Sequence, residues 1–212
     1  MRGLFLSLIL ITSTAIAQTD EEINNNAVNL MDEGRYKEAI PFFSKLIQGN
    51  PENTLYRYNR AIALSNLGRV KEALADYTIL YATIPDESEY AFQIGNSYEA
   101  LDSIPQADFF FSEAIRLDNT NYLYFFKRGT LYLKQFEWTK ARQDFDASLA
   151  LNPYHDNSLH NRGIALYKLG FKELACTDWC QAIALGNTHS ISHLEKNCKK
   201  RLEPCQPKNE DN

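Results

Sequence analysis

The chain has 212 residues, of which 44% are hydrophobic and 23% charged, and its formal net charge is −5 at pH 7. This apolar content is that of a folded domain or a compact array of repeats, so disorder along the whole chain is excluded. The acidic balance argues against a nucleic-acid partner, because affinity for phosphates depends largely on Lys and Arg.

The first residues have the organisation of an export signal. Arg2 precedes a short apolar run at residues 4–11, and small residues at 15–17 precede Gln18. This order predicts a cleaved signal peptide over residues 1–17 and a periplasmic or secreted product. The alternative is a membrane anchor, but the run is too short to cross a bilayer. No later segment is expected to span a membrane. Cleavage removes one of the 22 cations and none of the 27 acids, which leaves a charge of −6.

From residue 20 onward the sequence repeats with a period of 34 residues. An Ala recurs at this constant spacing, at Ala39, Ala73, Ala107, Ala141 and Ala175. Four residues after each Ala stands a large aromatic residue: Phe43, Tyr77, Phe111, Phe145 and Trp179. Twelve residues before each Ala stands a small one: Ala27, Ala61, Gly95, Gly129 and Gly163. Small residues let two helices approach closely, and the aromatic ring fills the space between them.

This pattern resembles the tetratricopeptide-repeat family. The resemblance implies an all-α, right-handed α-solenoid of five helix-turn-helix repeats over residues 20–53, 54–87, 88–121, 122–155 and 156–189. Gly34, Gly68 and Gly170 stand where a first helix should end. Asp102 and Phe136 replace Gly at that point in the other two repeats. A stacked array needs a polar last helix, so residues 190–204 are expected to form a capping helix and 205–212 a polar tail.

Three repeats carry an Arg in the first helix and an Asp sixteen residues later. The pairs are Arg60 with Asp76, Arg128 with Asp144, and Arg162 with Asp178. The other two repeats lack both charges, with Asn26 and Phe42 in the first and Ile94 and Phe110 in the third. Because the two positions change together, we predict ion pairs that join the helices of each hairpin.

The four cysteines lie near the C-terminus, at Cys176, Cys180, Cys198 and Cys205, with His189 and His193 among them. Disulfides are expected in an exported protein, whereas two thiols and two imidazoles could instead bind zinc, and Cys176 with Cys180 could form a redox pair. If the last repeat turns near residues 186–189, Cys176 faces Cys198, which favours that bond. Cys180 with Cys205 would then form the second bond. The pairing of Cys180 with Cys198 and of Cys176 with Cys205 remains open.

The family resemblance also implies a binding groove lined by the first helices. The fifth residue of each repeat should face it, and four of these five residues carry rings: Tyr58, Phe92, Phe126 and His160. Phe92 and Phe126 are the expected central anchors, although rings at this position could instead fill the core. Further groove positions are Asn96, Thr130, Ile164, Lys134 and Lys168. Acidic residues Glu21, Asp32, Glu89 and Glu99 precede these lysines, which predicts a groove polarised in charge.

No catalytic motif of the kinds that bind phosphate or zinc or that activate serine occurs in the chain. We therefore expect a non-enzymatic interaction scaffold that needs no cofactor and binds a protein or peptide, in bacterial envelope assembly or organisation. The alternative is a metal-binding or thiol-redox protein that works through the C-terminal Cys and His residues. The oligomeric state and the partner stay open.

Overall fold

The computed structural model describes residues 19–198, which form eleven α-helices and no strand. The helices are α1 (Asp20–Asp32), α2 (Tyr36–Gly49), α3 (Thr54–Asn66), α4 (Val70–Thr83), α5 (Ser88–Ala100), α6 (Ile104–Leu117), α7 (Tyr122–Lys134), α8 (Trp138–Leu151), α9 (Asp156–Lys168), α10 (Lys172–Ala184) and α11 (His189–Asn197). The odd-numbered helices α1 to α9 begin where the predicted repeats begin. Each helix packs against the next one in the chain, which gives the solenoid arrangement expected from the sequence.

The turn between the two helices of each hairpin needs one residue with a left-handed backbone. Gly34, Gly68 and Gly170 provide it, with φ of 73°, 72° and 91°. Asp102 and Phe136 adopt the same conformation, with φ of 56° and 61°. The turn therefore forms in the same way with Asp102 or Phe136 in place of Gly. A left-handed backbone at a residue with a bulky side chain lowers stability by about 1 to 2 kcal/mol.

The two helices of a hairpin meet where the aromatic residue of the second helix lies against the small residue of the first. The five aromatic side chains are at most 1% exposed, and the five Ala residues that mark the period are 0% exposed. A Cβ added to Gly163 would lie 2.5 Å from Nε1 of Trp179, and one added to Gly95 would lie 2.6 Å from the ring of Phe111. The third and fifth hairpins therefore have no room for a side chain at this contact.

The three predicted ion pairs are all present, and each is bidentate. Arg128 donates from Nε and Nη2 to the two carboxylate oxygens of Asp144, both at 2.8 Å. Arg60 meets Asp76 at 2.8 and 2.7 Å, and Arg162 meets Asp178 at 2.8 and 2.8 Å. The three Asp residues are only 3 to 5% exposed, so their carboxylates have little access to water. The Arg side chains supply the hydrogen bonds that water would otherwise make.

Each of these arginines also reaches the second helix of the preceding repeat, a contact that the sequence analysis did not predict. The Nη1 of Arg60 donates to the Ser44 hydroxyl at 3.2 Å, and the Nη1 of Arg128 donates to the Ser112 hydroxyl at 2.9 Å. In the last repeat Arg162 donates to Asp146 at 2.9 Å. The partner stands sixteen residues before the Arg in all three cases. One guanidinium thus joins three helices, and it links neighbouring repeats as well as the helices of one hairpin.

The third repeat solves the same packing problem without charge. Ile94 is 1% exposed, and Phe110 packs against the apolar cluster to which Ile94 belongs. Phe110 also stacks on Tyr98 with ring centroids 5.7 Å apart. An apolar pair at these two positions is therefore compatible with the fold of the hairpin.

The described part of the C-terminus is held by a disulfide. Cys176 of α10 is bonded to Cys198, which directly follows α11, and their Cα atoms are 5.8 Å apart. The favoured pairing is thus confirmed, and the pairing of Cys180 with Cys198 is wrong. The predicted partner of Cys180, Cys205, lies outside the described residues. By loop closure the observed bond contributes about 3 kcal/mol to stability.

Three sequence predictions fall wholly or partly outside the described residues: the signal peptide over 1–17, the cap beyond residue 198 and the tail at 205–212. Within residues 19–198, none of the helices combines the length and the hydropathy that crossing a bilayer requires.

Replacing Arg128 by Ala should destabilise the protein more than replacing the whole pair by its apolar counterpart from repeat three. Arg128→Ala leaves Asp144, whose pKa burial already raises despite the guanidinium, without its partner. The expected loss is about 2 to 4 kcal/mol, because unpaired buried charges are costly. The double change Arg128→Ile with Asp144→Phe should lose less. Urea unfolding of the unchanged protein and these two variants measures this, and a double variant that is as unstable as Arg128→Ala, or more so, would contradict it. Arg60 is less suitable, since Arg57 also reaches Asp76, at 3.3 Å.

Candidate functional site

The candidate site is the face of the odd-numbered helices α1 to α9 that carries the fifth, ninth and thirteenth residues of each repeat, called here the first-helix groove. Side chains of neighbouring repeats meet along it. Tyr58 donates to Glu89 at 3.2 Å, and the Asn161 amide donates to Thr130 at 3.4 Å. These bonds join α3 to α5 and α7 to α9, so the groove residues share a continuous surface.

Tyr58 and Phe126, at the fifth position of their repeats, are partly exposed. The Phe126 ring meets His155 edge to face at 4.7 Å and lies 6.1 Å from Phe145. The Tyr58 ring lies 5.8 Å from Tyr90, and burial is the main cause of the raised pKa of its hydroxyl. Both rings therefore combine core packing with a partly exposed surface.

Phe92 is not a groove anchor, and that prediction is wrong. Only 8% of the residue is exposed. Its ring is held between Tyr124 of the next repeat, 4.7 Å away, and Phe111 of its own repeat, 5.8 Å away. The alternative weighed from the sequence, core filling, applies here because a large residue of the following repeat covers the ring.

His160 lies at the end of the first-helix groove, half-buried against α11. Its Nδ1 is 2.8 Å from the Ser190 hydroxyl, and its ring centroid is 5.2 Å from that of His193. The Trp179 indole donates to the His160 carbonyl at 3.1 Å. Burial, followed by the charges of His193 and His189, lowers the pKa of His160 to about 4. The imidazole is therefore neutral near pH 7 and works as a packing residue beneath the cap.

The smaller polar positions are partly engaged within the protein. The Thr130 hydroxyl donates to the Phe126 carbonyl at 2.9 Å. The Asn96 amide donates to Gln93 at 3.4 Å, while its buried Oδ1 has no hydrogen-bond partner among the described residues. Ile164, at the ninth position of the last repeat, lines a cavity at the end of the groove.

The predicted separation of charge along the groove is wrong for its central part. Lys134 forms an ion pair with Glu99 of the preceding repeat, and Lys127 lies 3.6 Å from the same carboxylate. Glu89 accepts hydrogen bonds from Tyr58 and Gln93. Glu99 is thus neutralised by lysines of the next repeat, whereas the partners of Glu89 are a neutral hydroxyl and a neutral amide.

Lys168 differs from Lys134, because no described carboxylate pairs with it. Its Nζ lies over the Trp138 ring, 5.8 Å from the centroid. Trp138 in turn contacts the exposed Phe136 ring, with centroids 5.4 Å apart. The positive end that the sequence predicts for the groove therefore persists only in the last repeat.

The disulfide bears on the alternative function. Bonding to Cys198 occupies the sulfur of Cys176, so this residue cannot join Cys180 and the two histidines as a zinc ligand or act as a thiol pair with Cys180. The structure accordingly does not favour the metal or redox alternative.

Comparison with known proteins agrees with this geometry. The family model described as Tetratricopeptide repeat matches residues 30–91. A thermophilic TPR protein of Thermus thermophilus has a solved structure that covers 85% of this chain and 100% of its own, with a TM-score of 0.64 and 20% identity. Residues 30–91 therefore resemble tetratricopeptide repeats in sequence, and the chain has the fold of tetratricopeptide-repeat (TPR) proteins. MamA of Desulfovibrio magneticus is similar in fold, with a TM-score of 0.72, 14% identity, and coverage of 81% of this chain and 97% of its own.

The curated relatives are longer. Tetratricopeptide repeat protein 13 of Homo sapiens is 28% identical over 174 residues, which are 78% of this chain and 20% of that protein. Meiotically up-regulated gene 93 protein of Schizosaccharomyces pombe is 30% identical over 105 residues, or 48% of this chain and 27% of its own length. The chain thus spans about a fifth to a quarter of these relatives. The structure of YrrB, described as a TPR protein with an unusual peptide-binding site, covers 84% of this chain and 92% of its own at 17% identity and a TM-score of 0.67.

Proposed function

We propose that this protein is a non-enzymatic scaffold that binds an extended segment or a helix of another protein along its first-helix groove. The observation that carries the proposal is the exposure of apolar side chains on that face. Leu55 and Leu123 are 51% and 36% exposed, and they occupy the same repeat position two repeats apart. A partner segment would cover them and remove apolar surface from water.

The surroundings of Leu55 suit a side chain of the partner. A cavity of about 310 Å³ is lined by Leu55 and by residues of α3, α5 and the loop before α5, and these include Tyr58 and Tyr90. Apolar walls with a few polar groups are typical of binding pockets. Farther along the groove, Leu123 lies one helical turn from the partly exposed Phe126 ring. The two places form a pair of apolar anchor sites, with Glu89 at the same repeat position between them.

The likeness in fold to YrrB, which is described as having a peptide-binding site, supports this kind of partner. This binding mode differs in two respects from the one that the sequence predicts. Phe92 is no longer an anchor, and the partner needs no basic segment opposite Glu99, because Lys134 already pairs with that carboxylate.

We expect truncation of the exposed leucines to weaken partner binding without loss of the fold. Peptides selected from a random display library against the full protein, then measured by fluorescence anisotropy, provide the assay. Leu55→Ala and Leu123→Ala should each reduce affinity by about 1 to 2 kcal/mol, because each removes a contact of several methylene groups. The matched control is Ile79→Ala, at an exposed apolar residue of the second helix α4 that is 46% exposed. Peptides that respond to Ile79→Ala and ignore both leucine changes would contradict the proposal.

The place of action that we propose is outside the cytoplasm, in assembly or organisation of a bacterial envelope. The signal-like residues 1–17 and the Cys176–Cys198 disulfide support it, since disulfides persist in oxidising compartments. Intact-mass measurement of the protein from its native host is the check. A mature chain that begins at Gln18 is expected, and a product that retains residues 1–17 and is recovered with the cytoplasm would contradict export.

A further inference from the structure

A cavity of about 480 Å³ lies between α9 and α11, at the end of the first-helix groove. Its size is that of a site for two or three side chains. Its lining consists of Ile164, Tyr167, Lys168, Trp179, Ser192, His193, Lys196 and Asn197. Ile164 occupies the ninth repeat position, which faces the groove in the preceding repeats, so the cavity continues the groove and does not form a separate site.

The floor of the end cavity is apolar. Trp179 is 1% exposed, and its ring centroid lies 5.8 Å from that of Tyr167. The polar atom of the indole is already used, because Nε1 donates to the His160 carbonyl. The His193 ring also lies against the indole, with centroids 5.0 Å apart, so the indole supports the cavity wall from below. Ile164 and Tyr167 are partly exposed beside it, so the floor suits an apolar side chain.

The rim of the end cavity is positive. Lys168 and Lys196 are exposed, and among the residues that line the cavity there is no Asp or Glu. Neither lysine forms an ion pair with a residue in the described range 19–198, whereas Lys127 and Lys134 both meet Glu99. The rim thus keeps uncompensated positive charge within a chain whose net charge is negative.

We propose that the end cavity binds a partner segment in which apolar side chains are directly followed by acidic side chains. The apolar side chain packs on Ile164 and Tyr167, and the carboxylates pair with Lys168 and Lys196. Apolar burial supplies affinity, and the two lysines select for acidic residues and fix the direction in which the segment lies along the groove. This inference deepens the proposed function and rests on it.

The test uses two blocked peptides, acetylated and amidated, that contain two leucines followed by either two glutamates or two glutamines. Fluorescence anisotropy with the full protein at moderate ionic strength measures both. The glutamate peptide should bind at least about tenfold more tightly, since two charge-assisted contacts are added. Lys168→Glu with Lys196→Glu should abolish that preference, and Lys168→Arg with Lys196→Arg should keep it.

The matched control is Lys45→Glu, at an exposed lysine of the second helix α2. It changes the net charge by as much as each of the two lysine reversals and should leave the preference for the glutamate peptide intact. Equal affinity for the two peptides overturns the inference, as does a preference that survives reversal of both lysines. A third peptide, the glutamine sequence with a free C-terminal carboxylate, is measured alongside; if it alone binds, the site takes a chain-terminal carboxylate and the inference also fails. Library peptides that respond to Leu55→Ala would show in each case that the groove itself still binds.

Discussion

The structure depends on one contact that recurs in every repeat, between a large aromatic ring on the second helix and a small residue on the first. Where the ring belongs to Trp179, even the Cβ of an alanine at Gly163 would be too close. In the first two repeats Ala27 and Ala61 accommodate the smaller rings of Phe43 and Tyr77, which are fully buried. The contact holds the two helices of a hairpin at a short distance, and it sets which residues of the first helix point away from the core.

The arginine contacts add order between repeats. Arg128 joins Asp144 of its own hairpin to Ser112 of the preceding one, and Arg60 joins Asp76 to Ser44 in the same way. Because a guanidinium has five donors in a fixed plane, it can satisfy both partners at once. The third repeat, which lacks this Arg, packs Ile94 with apolar neighbours instead. Both solutions keep successive first helices in register, and a continuous first-helix groove is the consequence.

The regular features of the protein follow from its sequence, since they depend on contacts at a fixed separation along the chain. The period of 34 residues, the left-handed turn residues, the three ion pairs and the Cys176–Cys198 bond belong to this group. Predictions failed where a side chain of a neighbouring repeat decides the outcome. Tyr124 covers Phe92, and Glu99 neutralises Lys134. Such contacts depend on the identity of both side chains, which the repeat pattern does not specify.

The end cavity illustrates the same limit at the site. Lys168 and Ile164 were recognisable as groove positions, but the contribution of Lys196 depends on how α11 packs against α9. A basic residue in the capping helix was visible in the sequence. Its position beside an apolar floor required the fold.

Amide chemical-shift mapping by NMR tests the central claim most directly, namely that the first-helix groove and its end cavity are the binding surface. The labelled protein is titrated with the peptide of two leucines and two glutamates. The account predicts the largest shifts in α7, α9 and α11, together with the indole N–H of Trp179. A second cavity, of about 650 Å³, lies on another part of the surface between α8 and α10 and is lined by Tyr154 and Leu185. Largest shifts there, with α9 and α11 unchanged, would contradict the account.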